Sequence, residues 1–376
     1  MNLSTIVDRT EAYYCLDCGI CTGSCPVARV LPEFSPRLMV EKVLIDQAEN
    51  PLDDINIWSC LSCGQCSTRC PSRIDYPEFV RMIREEAVRQ GKQGTVAHRG
   101  IFQAIMRLQT LNVKQNKSEW ARQTGRIAES GDTYYFVGCA PFFQVEFQED
   151  WGINALDTPR GVIKLLNAVG IEPVVHDDER CCGHDLLWNG DREGFAKLAR
   201  LNVELIKGLG CKRVVFHCPE GYITFKKYYP EVTGETGLEV VHFYELFLDQ
   251  LSRDGVGFGS IETCVTYHDP CRLGRQAGIM DAPRALIQRV PGIVLKEMLH
   301  TRESGLCCGT SAWMNCSACS KEIQKARLRE AVVTGAEMLI TACPKCRLHL
   351  SCALRDTDLK IQIKDLNELL AEALQT

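Results

Sequence analysis

The sequence predicts a multi-domain chain in which a helical, cysteine-rich N-terminal domain is followed by two copies of an α/β domain. Three observations lead there. Eight of the 22 cysteines fall within the first seventy residues, in two copies of one spacing. From Thr133 onward, short β-rich runs alternate with amphipathic helices, the pattern of parallel α/β sheets. That alternation occurs twice, with cysteines at matching places, so it is an internal repeat. With 376 residues, 45% of them hydrophobic and 24% charged, the chain has an ordinary globular composition and is long enough for two or three domains.

The N-terminal motifs read Cys15-Leu-Asp-Cys18-Gly-Ile-Cys21-Thr-Gly-Ser-Cys25-Pro26 and Cys60-Leu-Ser-Cys63-Gly-Gln-Cys66-Ser-Thr-Arg-Cys70-Pro71. The run C-x2-C-x2-C-x3-C-P is the signature of bacterial two-cluster ferredoxins, in which three thiolates of one run hold a [4Fe–4S] cube and the fourth reaches across to the other. On that reading Cys15, Cys18, Cys21 and Cys70 hold one cubane, and Cys60, Cys63, Cys66 and Cys25 the other. Pro26 and Pro71 fix φ just after each crossing cysteine and turn the chain away. Structural zinc usually uses separated C-x2-C pairs in closed tetrahedra, which this spacing fits poorly. Disulfides fit no better. Met1 to Tyr14 holds no apolar stretch of signal-peptide length, so nothing directs these thiols to an oxidising compartment.

In a reducing cytoplasm so many cysteines point to metal. No run approaches the apolar length a bilayer span requires, so the expected location is cytoplasmic, with any membrane contact made through a partner rather than by direct insertion. A net charge of −5 argues neither for nucleic acid nor for an acidic binding surface, and no nucleic-acid partner is expected. No G-x-G-x-x-G follows a strand, so the chain offers no evident flavin or nicotinamide site of its own.

The expected boundaries are a two-cluster ferredoxin-like domain over 1–95, a basic helical connector over 96–131, and two repeated domains over 132–258 and 259–376. Between Arg81 and Arg126 ten Lys or Arg stand against three acids. This stretch reads as a solvated face, with docking of an acidic redox partner as the alternative. Helical periodicity marks Gly161–Val169, Glu193–Ile206 and Glu322–Val333, while Val174-Val175, Val214–Phe216 and Met338–Ile340 read as buried strands.

The first repeat contains Cys139, then Arg180-Cys181-Cys182-Gly183-His184, then His217-Cys218-Pro219. The second contains His268-Asp-Pro-Cys271, then Leu306-Cys307-Cys308-Gly309, then Cys343-Pro-Lys-Cys346. Equivalent cysteines lie 132, 126 and 125 positions apart. The first and last motifs of each copy follow a strand directly, which places them beyond the carboxyl ends of a parallel sheet, where open α/β folds bind ligands.

This duplicated pattern resembles the cysteine-rich CCG domains of the B-type component of heterodisulfide reductase, and the leading domain is similar to its C-type component. The two in this order look like the fused D-type component of that enzyme family. Related fused proteins serve glycolate oxidase, anaerobic glycerol-3-phosphate dehydrogenase and bifurcating reductase complexes. The resemblance implies that Cys271, Cys307, Cys308, Cys343 and Cys346 bind a non-cubane [4Fe–4S] cluster. It also implies disulfide cleavage between two such clusters, and partners that are flavin- or iron–sulfur-containing redox subunits. The first repeat departs from the pattern, since Gly221 stands where a fifth cysteine is due. Cys139, Cys181, Cys182 and Cys218 are left as a metal site for iron–sulfur or zinc.

His184, His217 and His268 adjoin cluster cysteines and are candidate proton donors for disulfide reduction, or N–H donors to sulfur that tune a potential. Cys316 and Cys319 form a further C-x-x-C, either a redox dithiol or packing residues. Cys211, Cys264 and Cys352 are expected in the core. The expected function is an electron-transfer subunit of an oxidoreductase complex, with a catalytic thiol–disulfide reductase and a zinc-held docking module as alternatives.

Overall fold

The computed structural model describes residues 3–45, 50–314 and 316–375. Two parallel sheets organise the chain beyond residue 132. In the first, β1 (Thr133–Phe136), β2 (Arg213–Phe216) and β3 (Glu239–His242) stand in that order, and Val174 bridges Tyr134 on the outer side of β1. In the second, β4 (Thr263–His268), β5 (Ile293–Leu295), β6 (Met338–Thr341) and β7 (Gln362–Asp365) take the order β5-β4-β6-β7. β4, β6 and β7 therefore correspond to β1, β2 and β3, and β5 to the segment around Val174. The duplication is one of topology as well as cysteine spacing. Phe136 pairs with Phe216 and Phe216 with His242, as His268 pairs with Thr341 and Thr341 with Asp365, so each sheet ends in one aligned row.

The expected strand at Val174-Val175 shrinks to one bridged residue, because Pro173 has no N–H to extend the ladder. The three expected helices form as Asp157–Ala168, Arg192–Gly208 and Ala318–Val333. β3, β5 and β7 are strands of three or four residues with half-exposed side chains, too short and too polar to stand out as buried runs.

No strand precedes Thr133 among the described residues. The N-terminal part consists of short helices, and Ile20–Ser24 packs on Gln65–Thr68 as the equivalent elements of the two motif copies. The long helix Tyr76–Arg89, capped by the Asp75 carboxylate on the Glu78 N–H, closes this part against the repeats. Its Arg84 is fully buried and donates to the carbonyls of Ile57, Trp58 and Cys60, and to that of Trp188 in the first repeat. Gly190 makes this approach possible. Its φ is +87°, and a Cβ there would sit 2.5 Å from the Arg84 carbonyl oxygen.

The stretch from Arg81 to Arg126 is solvated in part, with Arg89, Arg107, Arg122 and Arg126 exposed, but its charge is largely paired. Arg81, Arg84 and Lys117 are buried. Lys92 pairs with Asp53, Arg107 with Asp191, Lys117 with Glu179, Arg122 with Asp177 and Arg126 with Glu172. A local charge surplus ignores acids that folding brings from elsewhere in the chain. Helix Ile101–Leu108 buries Phe102 and Met106 on one face, four residues apart. Phe102 stacks on Trp313 of the second repeat at 4.2 Å and meets Phe143 of the first edge-on at 5.4 Å.

Candidate iron–sulfur sites

The two N-terminal loops repeat one backbone conformation. Asp17 (φ 51°) and Gly19 (φ 76°) are left-handed in the first, as are Ser62 (φ 47°) and Gly64 (φ 78°) in the second. Left-handed residues alternating with cysteines curl backbone N–H groups inward, a cradle for negative charge. The Ser62 N–H already donates to Cys60 Sγ at 3.2 Å.

Two cavities adjoin these loops. One is lined by Cys15, Cys18, Cys21 and Cys70, with Pro71 beside them. The other is lined by Cys25, Cys60, Cys63 and Cys66, with Pro26 beside them. Cys66, Pro36 and Tyr76 belong to both walls. The first cavity is the outer one, since Cys18 is exposed, whereas Cys25, Cys60, Cys63 and Cys66 are buried. Burial pushes the thiols of Cys60 and Cys66 up, which disfavours free thiolates in so dry a place. Four sulfurs around a largely apolar cavity suit a thiolate-bound cluster, which leaves no thiolate charge uncompensated.

In the second repeat Cys271 follows β4 and precedes a π-helical turn, Arg272–Gln276, while Cys343 follows β6 and begins helix Pro344–Leu354. The Cys307-Cys308-Gly309 turn lies between them in sequence. A Cβ on Gly309 would meet the Ser320 carbonyl oxygen at 2.7 Å, and its φ is +78°, so only glycine lets the turn close. All five cysteines come together. Their thiols are near enough to shift one another's pKa, Cys307 with Cys271 and Cys308, Cys308 with Cys346, and Cys346 with Cys343. This set adjoins Cys63 of the inner N-terminal cavity, where the Ser62 hydroxyl meets that of Ser311 at 2.9 Å and Arg275 donates to the Cys63 carbonyl at 2.7 Å. The neighbouring Cys307 thiol, helped by Arg275 and Arg272 and opposed by burial, brings the Cys63 pKa down to about 6. The five-sulfur set fits the cluster that the cysteine pattern implies.

The first repeat gathers Cys139, Cys181, Cys182 and Cys218 around one cavity with His184, His217 and Gly221. Cys139 Sγ and Cys181 Sγ are 3.6 Å apart. The Cys181-Cys182 turn is pinned by Gln109, whose side-chain oxygen accepts from the Cys181 N–H at 2.8 Å, and by Asn202, which donates to the Cys181 carbonyl at 3.0 Å. The fifth position does not fit a thiolate. A Cβ on Gly221 would lie 3.1 Å from the Phe216 ring, and β-strand register makes Phe216 the counterpart of the much smaller Thr341. The phenyl ring fills the space beside Gly221. The site thus offers four thiolates, with the Phe216 ring crowding the place of a fifth.

Lys345, within the second repeat's Cys-Pro-Lys-Cys, lines the first repeat's cavity and pairs with Asp185 and Glu220. His184, Asp185 and Glu220 bring their ligand atoms within 4.8 Å of one another, and the Lys345 ammonium is the cation that meets the two acids. Burial opposes the Asp185 carboxylate, yet Lys345 and His184 outweigh it and hold its pKa well below the usual range.

The three histidines have distinct partners. Arg327 Nε donates to His268 Nδ1 at 3.1 Å, leaving the ring proton on Nε2 beside Cys308. His217 Nδ1 meets the Tyr135 hydroxyl at 2.8 Å, and burial pushes its pKa down to about 3. His184 Nδ1 meets Asp185 at 2.7 Å. All three are buried, and burial lowers each pKa, which favours neutral rings. Cys316 is exposed and Cys319 half-buried at the start of helix Ala318–Val333. Cys211 is buried, and Cys264 is half-buried in β4. Cys352 is not a plain core residue, because its thiol lies 2.7 Å from the Lys321 ammonium. Sequence reasoning missed Arg272, Arg275, Arg327, Asp185 and Glu220. Lys345 carried a signal, a cation inside a cysteine motif.

Parallel sheets with cysteine loops at their carboxyl ends, joined to two four-cysteine cavities, define an iron–sulfur protein of the oxidoreductase class. Residues 133–226 and 265–351 match a cysteine-rich domain, and residues 11–74 a 4Fe-4S dicluster domain. Over 269 residues the chain is 31% identical to the D component of dihydromethanophenazine:CoB–CoM heterodisulfide reductase from Methanosarcina mazei, covering 69% of this chain and 63% of that one. Over 385 residues it is 26% identical to the B component of fumarate reductase (CoM/CoB) from Methanothermobacter marburgensis, covering 96% of this chain and 72% of that one. A crystal structure of a hypothetical protein from Helicobacter pylori shares the fold, with a TM-score of 0.57 at 10% identity, over 99% of this chain and 76% of that one. The chain belongs to the iron–sulfur family that fuses a 4Fe-4S dicluster domain to a duplicated cysteine-rich domain, with the D component of heterodisulfide reductase among its members. It spans 63% of the length of the heterodisulfide reductase relatives it matches. No helix among the described residues is long and apolar enough to cross a membrane.

Proposed function

We propose that this chain is the electron-transfer subunit of a heterodisulfide-reductase-like complex, relaying electrons between two cubane [4Fe–4S] clusters and a non-cubane [4Fe–4S] cluster. Cys15, Cys18, Cys21 and Cys70 hold the outer cubane, Cys25, Cys60, Cys63 and Cys66 the inner one, and Cys271, Cys307, Cys308, Cys343 and Cys346 the non-cubane cluster. The observation that carries this reading is the meeting of the two cysteine loops, where the Ser62 and Ser311 hydroxyls lie 2.9 Å apart and Arg275 donates to the carbonyls of both Cys63 and Gly305. Cys18 is exposed and the inner set is buried, and the two N-terminal cavities share Cys66, so the outer site is the one open to a partner. Each cluster supplies a one-electron carrier. The residues around it supply burial, order and hydrogen bonds. His268, with its proton on Nε2 and no partner for it among the described residues, is free to donate to a cluster sulfur and would lower the cost of extra negative charge there. The electron donor or acceptor is a flavin- or iron–sulfur-containing partner, because the chain has no dinucleotide fingerprint.

In the first repeat, Cys139, Cys181, Cys182 and Cys218 take a four-thiolate centre. Disulfide cleavage between paired five-cysteine sites is disfavoured by Phe216 and Gly221. The decisive measurement is iron, zinc and labile sulfide in chain purified without oxygen, with EPR spectra through a redox titration. About twelve or about sixteen irons, three or four clusters of four, support the relay, sixteen adding iron in the first repeat. About eight irons with zinc overturn it and reduce the repeats to a docking module. Cys346→Ser separates the roles further. Lost turnover with both cubanes intact supports the relay, and lost complex assembly alone contradicts it.

A further inference from the structure

We propose that Arg275 sets the reduction potentials of the inner N-terminal site and the second-repeat site together, as one guanidinium shared between them. The inference rests on the iron–sulfur reading of those two sites. Arg275 Nε donates to the Cys63 carbonyl at 2.7 Å, and Nη1 donates to the carbonyls of Gly305 at 2.6 Å and Glu303 at 3.1 Å. Nη2 is buried without a partner among the residues described. The sulfurs of Cys63, Cys271 and Cys307 are the charges that act on this guanidinium, and they hold its pKa above the ordinary value although burial opposes them. Through the carbonyls of Cys63 and of Gly305, two residues before Cys307, one side chain thus bonds to both cysteine loops where they meet.

The element that carries Arg275 is built for this junction. On the same π-helical turn, Arg272 donates to the Ser62 carbonyl at 3.2 Å and to its hydroxyl at 2.9 Å, and Gln276 donates to the Ser62 carbonyl at 3.1 Å. Arg272 also lies over the Trp188 ring, 3.9 Å from its centre. The Cys60–Cys63 loop therefore keeps the three bonds from Arg272 and Gln276 to Ser62 when Arg275 is replaced. That leaves Arg275 its charge and its free N–H as distinguishing features. A guanidinium stays protonated at every accessible pH. Each electron added to a cluster adds a negative charge, and a fixed cation in a dry site stabilises that charge and raises the potential. Because Arg275 faces both sites, it raises both, so neither traps the electron relative to the other.

The test uses the full chain purified without oxygen, with Arg275→Gln and Arg275→Lys compared by iron content and EPR-monitored redox titration. Arg275→Gln is expected to lower the equilibrium constant for reducing each of the two adjacent clusters at least tenfold, or 59 mV for one electron. The outer cluster should not move, and Arg275→Lys should lie close to the native chain. Full iron content with both potentials unmoved in Arg275→Gln overturns the inference and leaves the cluster assignment standing. Native chain lacking iron at these cysteines overturns the assignment itself. Equal falls in the Gln and Lys variants overturn the role of charge. Should Arg275→Gln fail to accumulate, Arg275→Met removes the same charge while keeping the length of the side chain. Both potentials are then expected to fall, and unmoved potentials again overturn the inference.

Discussion

Gly221 and Phe216 illustrate what a single side chain decides. The missing cysteine is visible in the sequence, because the other repeat supplies the comparison at Cys346. The compensating phenylalanine is not visible, because its match to Thr341 depends on strand register. Gly221→Cys alone forces its Cβ against that ring and is expected to cost about 1–3 kcal/mol, as overpacking does. Adding Phe216→Thr should recover most of that loss and raise the iron content of the anaerobically purified chain. Thermal unfolding and iron analysis of the single and double variants check both halves.

Glu368 yields a pH prediction. Burial, outweighing its ion pair with Arg347, pushes its pKa up to about 7, while Thr158 donates to it at 2.7 Å. The folded value lies above the unfolded value of about 4.3, so the protonated group favours the fold. Its contribution is complete below about pH 4 and is lost as pH rises through about 7. Glu368→Gln keeps an acceptor for Thr158 and removes the titration. The difference in Tm between variant and native chain should grow in the variant's favour from pH 4.5 to 7.5 (both chosen to bracket that loss on the order of the shift); a constant difference contradicts it.

At the level of elements, the cysteine loops and the sheets were legible because their causes are local. Ligand spacing, a glycine next to a ligand and alternation of strand with helix all lie within windows of a few to twenty residues. The connector was misread for the same reason. Its positive charge is real in sequence, but its partners Glu172, Asp177, Glu179 and Asp191 lie in the first repeat. Helix Ile101–Leu108 is a structural wedge rather than a spacer. Phe102, stacked on Trp313 and edge-on to Phe143, is expected to contribute about 3–5 kcal/mol, the usual cost of removing a buried Phe. Denaturant unfolding of Phe102→Ala measures this, and a loss below 1 kcal/mol (about a third of the lower bound) contradicts the wedge.

At the level of the whole molecule, Arg84 ties the N-terminal helices to Trp188, Phe102 ties both repeats to the segment between, and Lys345 reaches from the second repeat into the first. The three parts share one hydrophobic core. The chain should therefore unfold in one calorimetric transition, with calorimetric and van't Hoff enthalpies in agreement. Resolved transitions for the N-terminal part and the repeats would contradict this coupling. The same closeness brings Cys63 to Cys307, two residues far apart in sequence.

The sequence by itself determined the cysteine sets, the duplication and the parallel α/β sheets, because each follows from residue type and short-range period. It also exposed the incomplete first repeat through internal comparison. Tertiary structure alone decided which sites touch, which cations are neutralised, what fills the place of the absent cysteine, and that Arg275 lies where two sulfur sets meet. Those outcomes depend on closing loops across most of the chain. Burial and long-range charge act on the folded arrangement, and no short window of sequence contains both partners.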